Sequence, residues 1–252
     1  MRIVLLRLLL VVACAGQLSL LRTVTAIRAA DKPSPRTIQV PADHARIQQA
    51  IDAAADGDTV LVAPGTYRES LQLKGKQITL ASRFLVTSDK KDVERTVLDG
   101  KASGNEKKSR GSTPITVAED VGPKTRIIGF TIANGDDGIS CTAKIEILHN
   151  RLINNVYAID YERGGGLCRN NVFENNRDDA VDLDGATEAI IEDNVIRNCG
   201  DDGIEIRLHK YRGKRLNIVI RRNQIIDSGE DGIQIIDYPD KSDRIIRIER
   251  NV

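Results

Sequence analysis

The chain has 252 residues, 40% of them apolar and 29% charged, with 37 basic against 36 acidic side chains and a net charge of +1. That length and composition suit a single domain with a sizeable core. The charge balance excludes a bulk attraction to nucleic acid or to an anionic membrane. Aromatic residues are scarce, at 3% with no Trp. Ile, Val, Leu, Asn, Asp and Gly recur through the second half, which points to many short strands and turns.

In chain order, Arg2 and Arg7 precede an uncharged, mostly apolar run from Leu8 to Gly16, too short to span a bilayer. This predicts an export signal over residues 1–26, cleaved after Ala15 or Ala26, followed by a linker over 27–36. The mature protein is expected to be secreted or periplasmic, with no integral membrane span. Val11-Val12-Ala13-Cys14 also fits a lipoprotein box, which leaves lipid anchoring at Cys14 as an alternative.

Residues 45–54 then place Ile47, Ala50, Ile51 and Ala54 on one helical stripe, with Asp43 as the expected N-cap and Gly57 just past the C-terminus. Residues 58–82 read as three strand-like runs broken at Pro64-Gly65 and at Lys74-Gly75-Lys76. The polar stretch 101–113 shows no apolar period and reads as a loop.

From residue 136 the sequence repeats. Segments ending at Asn150, Asn171, Asn194, Asn223 and Asn251 are spaced by 21, 23, 29 and 28 residues. Each Asn is followed by a short strand (RLIN, VFEN, VIRN, QIID). A DGI-type strand comes next: DDGISC, VYAIDYE, DDAVDLD, DDGIEIR and EDGIQII. Three short strands and three turns in about 22 residues cannot bury an apolar face alone, but stacked about 4.8 Å apart they enclose a continuous core. The fold class predicted is all-β: a parallel β-helix over residues 37–252, capped at its N-terminal end by the helix of 45–54. The chain stops at Asn251-Val252, where earlier units continue, and so reads as truncated at its C-terminus. It is expected to be a monomer.

In the DGI strands, Ile139, Ile159, Val181, Ile204 and Ile233 share the inward parity, while Ser140, Asp160, Asp182, Glu205 and Gln234 point outward. Cys141 and Cys168 fall on inward positions as small hydrophobes, and the three cysteines outside the signal, Cys141, Cys168 and Cys199, lack CxxC spacing and exclude a zinc site. Stacking also aligns Asp137, Tyr157, Asp179, Asp202 and Asp231 just before the strand, so one sheet edge is strongly acidic. Asp-Asp-Gly is first of all a turn signal. The alternative is a site: Asp179, Asp182, Asp201, Asp202 and Glu205 supply hard oxygen ligands for Ca²⁺, or two acids act across a water in inverting glycoside hydrolysis. Insertions 208–216 and 237–243 follow these strands. The first brings Arg207, Lys210, Tyr211, Arg212 and Lys214 beside the acids, cations and an aromatic ring suited to an acidic polysaccharide.

The run 37–82, with TVLDG (96–100), IIGFTIANG (127–135) and the Asn/DGI units, resembles the pectin-lyase-like right-handed parallel β-helix proteins. That resemblance implies the fold but not one chemistry, since the superfamily spans lyases, glycosidases, esterases and non-catalytic proteins. Pectate-lyase-like chemistry would use Ca²⁺ bridging a uronate, with Arg207 as the base. Asn176-Arg177-Asp178-Asp179 and Gly200-Asp201-Asp202 look like polygalacturonase motifs and would make Asp179, Asp201 and Asp202 catalytic. The later Gly-His-Gly and Arg-Ile-Lys motifs of that family have no counterpart here. A non-catalytic extracellular binding or surface protein is the rival reading.

Overall fold

The computed structural model describes residues 34–101, 112–207, 215–236 and 244–252. From Pro35 on, these residues belong to the compact unit Pro35–Val252. Its strands form three all-parallel sheets of nine, seven and seven strands, each recruiting one strand from every successive coil. The first sheet runs from Thr37–Val40 to Arg244–Glu249, the second from Leu71–Leu73 to Ile233–Ile235, and the third from Gly65–Tyr67 to Gln224–Ile226. A chain that visits three sheets in turn and returns parallel to itself is a β-helix, in the right-handed sense that parallel crossovers take.

The register is the one the repeat dictates. Ile139, Ile159, Val181, Ile204 and Ile233 pair in sequence across the second sheet, as do Ser140, Asp160, Asp182, Glu205 and Gln234. The inward column is fully buried through Ile204. Each such side chain contributes roughly 1.5–3 kcal/mol by leaving water. The third sheet stacks Leu98, Ile132, Leu152, Phe173 and Ile196, all at 0% exposure, behind the first and second.

The corners between the first and third sheets are closed by the Asn column. The backbone N–H of Asn150 donates to Oδ1 of Asn171 at 2.9 Å, and Asn171 Nδ2 donates to the Ile147 carbonyl at 2.9 Å. The pattern repeats at Asn194, Asn223 and Asn251. The residue before each Asn (His149, Asn170, Asp193, Arg222, Arg250) sits at φ of 56–57°. A second buried column, Asn155 and Asn176, does the same work at the corner before the second sheet. Its sequence signal is the doublets Asn154-Asn155 and Asn175-Asn176, in which the first Asn takes the left-handed turn (φ 57° and 55°).

Three local expectations are corrected. The cap helix covers Ile47–Ala53, with Ile47, Ala50 and Ile51 buried as its stripe demands, but its N-cap is Arg46 and makes no side-chain cap. The carboxylate of Glu69 accepts from the N–H groups of Ile47 and Gln48 instead, while Asp43 accepts from Gln39 N–H. Gly57 is not adjacent to the helix end: Ala54 is the C-cap, and Gly57 forms a separate turn at φ 90°. Residues 58–82 hold four strands rather than three, because Gly65 opens the strand Gly65–Tyr67. Between Thr79–Ser82 and Thr96–Asp99 the chain leaves the solenoid in an arm of two short helices, Phe84–Thr87 and Lys90–Arg95. Gly129 lets the arm pack, since a Cβ there would meet Phe84 Cβ at 2.7 Å.

Candidate functional site

The outer face of the second sheet gathers the acids. Asp182 and Glu205 are register partners on adjacent strands, and Asp184 and Arg207 are the next pair outward. That pairing lets the Arg207 guanidinium reach three carboxylates: Asp182 Oδ2 at 2.8 Å, Glu205 Oε2 at 2.9 Å and Asp184 Oδ1 at 3.0 Å. Although they point out of the sheet, Asp182 and Glu205 are 4% and 7% exposed. Asp179, at the corner leading into the strand, is buried too, and one of its oxygens lies within 4.8 Å of one oxygen each from Asp182 and Glu205.

Burial and mutual repulsion lift these carboxyls. Asp179 is pushed up to about 8 by burial and by Glu205, Asp178 and Asp182, against the N–H of Asp202 that favours its anion. Burial first, then neighbouring carboxylates, takes Glu205 to about 7 and Asp182 to about 6, with Arg207 holding both lower than they would otherwise stand. Asp160, one strand away, reaches about 7 for the same reasons. Burial works against the charge on Arg207, but Asp182, Asp184 and Glu205 outweigh it and hold the guanidinium above its ordinary value. At neutral pH the cluster therefore contains both protonated and ionised carboxyls beside a permanent cation.

The Asp-Asp-Gly turns do structural work as well. Asp179 Oδ1 accepts from Asp202 N–H and Asp202 Oδ1 accepts from Asp231 N–H, both at 2.8 Å, so these two acids form a carboxylate ladder up the corner. Asp201 belongs to a second group with Asp178 and Asp179, again with one oxygen of each within 4.8 Å of the others. Asp182 Oδ1 and Asp201 Oδ1 are buried without a hydrogen-bond partner. The structure thus brings Asp179, Asp182, Glu205 and Arg207 together and places Asp201 and Asp202 on the adjoining corner. Lys210, Tyr211, Arg212 and Lys214, like the insertion 237–243, lie outside the described residues. What sequence reasoning missed is Asp184, whose signal was its one-coil offset from Arg207 in the register.

The remaining chemistry-bearing side chains are elsewhere. Cys141, Cys168 and Cys199 are free and buried, and burial pushes their thiols up to about 11, 12 and 12. Cys141 Sγ donates to the Ala143 carbonyl, and Asn171 Nδ2 donates to Cys168 Sγ.

Residues 94–249 match the model of a family described as periplasmic copper-binding protein (NosD). No curated protein and no solved structure matches the chain. The match agrees with the β-helix and with a secreted or periplasmic location. It overturns the expectation of calcium at Asp182, Asp201, Asp202 and Glu205, because the family's described metal is copper. The described donors do not fit copper either. Among the described residues, the close groups of His, Cys, Asp and Glu are the two carboxyl trios, with no nitrogen or sulfur. Copper favours imidazole, thiolate and thioether ligands. The three cysteines are thiols turned into the core, and Arg207 already occupies the cation's place between Asp182 and Glu205.

Proposed function

The chain belongs to the NosD family, and from that premise we propose that the outer face of its second sheet binds a polysaccharide, with the Asp179–Asp182–Glu205 cluster and Arg207 at the centre of contact. The observation that carries the reading is the cluster itself. Carboxyls with pKa values of about 8, 6 and 7 offer O–H donors and carboxylate acceptors side by side at neutral pH, and sugar hydroxyls pair with both. Arg207 fixes the acceptors, so little side-chain freedom is lost on binding. Lys210, Arg212 and Lys214 follow Arg207 closely in the sequence, and their charge suits an acidic polysaccharide. Retardation in native gels containing neutral or acidic polysaccharides tests this. Wild-type protein is expected to be slowed by at least one, and Glu205→Gln and Asp182→Asn to run free. Equal migration of wild type and both variants in every gel would sink the reading.

A second reading, catalysis on the bound chain, is favoured by the pKa values, because acid–base groups poised near neutrality are what glycoside hydrolysis needs. Arg207 suits an electrostatic role rather than that of a lyase base, since its fork is engaged by three carboxylates and its charge is held on. New reducing ends, with a pH–rate profile whose limbs belong to the cluster as a whole between about pH 6 and 8, would support it. Absence of products from every retained polysaccharide would leave binding alone.

A further inference from the structure

A separate cleft lies where the helical arm leans on the corner between the first and third sheets. Its cavity is about 220 Å³, smaller than the roughly 300–1,000 Å³ of sites for drug-sized ligands, and so admits a single ring. The arm supplies Phe84, Val93, Lys90 and Glu94, and the solenoid supplies His149, Asn170, Arg151, Val172 and Glu174. Phe84 and His149 form a tilted aromatic pair with ring centroids 5.1 Å apart. This wall exists because the arm, an excursion between Thr79–Ser82 and Thr96–Asp99, breaks the repeat and folds against corners whose left-handed residues His149 and Asn170 aim polar side chains outward beside each other.

The lining groups carry both signs, and Glu174 pairs with Arg197 as well as with Arg151. Arg151 donates to Glu174 at 2.8 Å, and Lys90 and Glu94 stand one turn apart on the same helix. Burial, then Arg169 and Lys90, hold the His149 imidazole below its ordinary value, so at pH 7 it is neutral and both donates and accepts. A ligand of net charge meets both signs here, whereas a ring with one apolar face and several hydroxyls meets an apolar floor and a mixed set of donors and acceptors.

We propose that this cleft binds one neutral saccharide unit, its ring face on Phe84, Val93 and Val172 and its hydroxyls on His149, Asn170 and Glu94. The site is distinct from the carboxyl cluster of the second sheet, and the variants that test it leave that sheet untouched. The probes are glucose, galactose, mannose and N-acetylglucosamine, with glucuronate and glycine as charged comparisons, followed through the imidazole NMR signals of His149. At least one neutral sugar should shift His149. Val172→Lys, an outward strand position that fills the cleft, should weaken that sugar roughly tenfold, with an unchanged melting temperature showing that the fold is intact. Glu94→Gln, which removes the acceptor without filling the cleft, should weaken it less. The proposal is overturned if no neutral sugar shifts His149, if glucuronate or glycine binds more tightly than every neutral sugar, or if Val172→Lys binds as wild type does.

Discussion

Removing the guanidinium at the centre of the second sheet isolates the electrostatic logic of the cluster. In Arg207→Ala, Asp182, Asp184 and Glu205 lose a cation at 2.8–3.0 Å. Breaking a buried pair from one side costs about 3–5 kcal/mol. The Arg207 side chain is 30% exposed, so about 2–4 kcal/mol is the expected loss where the carboxyls are ionised. That loss depends on pH in a definite direction. Asp179, Asp182, Glu205 and Asp160 have folded pKa values raised to about 8, 6, 7 and 7. For a raised carboxyl the folded state binds more protons than the unfolded chain. Its stabilising contribution is therefore complete below the unfolded value near 4 and is lost as pH rises through the folded value. Wild type should melt at a higher temperature at pH 5 than at pH 8. Arg207→Ala should lose little at pH 5, where Asp182 and Glu205 are largely neutral, and most at pH 8. Calorimetric melting of both proteins across that range gives the answer. An equal loss at both ends, or a wild type that grows more stable toward pH 8, would refute the assigned protonation.

Asn171→Ala strips the Asn column of one member whose side chain meets the Asn150 N–H and the Ile147 carbonyl. Two buried backbone groups left unsatisfied, at about 1–3 kcal/mol each, give a loss of roughly 2–6 kcal/mol in chemical denaturation; a loss under about 1 kcal/mol would mean the corner re-pairs without the column. Cu²⁺ added to the protein should show, by electron paramagnetic resonance, no nitrogen hyperfine pattern from the described β-helix. A nitrogen pattern abolished by His149→Asn would overturn the reading of its donors.

How much of this could be read from residue order depends on whether a feature repeats. The inward column Ile139 to Ile233, the outward column Ser140 to Gln234 and the Asn column all follow from a period near 22 residues, since stacking converts sequence offset directly into neighbourhood. The helix stripe was legible by its own 3.6 period, but its cap was not, because Glu69 reaches Ile47 from 22 residues downstream while Asp43 stood in the expected place and bonded elsewhere. Asp179 and Asp202 could be seen as acids, yet only the structure shows that both build the corner ladder while Asp179 also joins Asp182 and Glu205. The helical arm left no repeat to follow. Chemistry in a solenoid has to come from such breaks, because a perfectly periodic stack presents every coil with the same surface and favours no one place for a ligand. Here the breaks are a cation, Arg207, paired with an acid on the coil before it, and an arm folded over a corner. Both candidate sites sit where the repeat fails, and that coincidence is the physical reason to test them before the uniform stretches of the sheets.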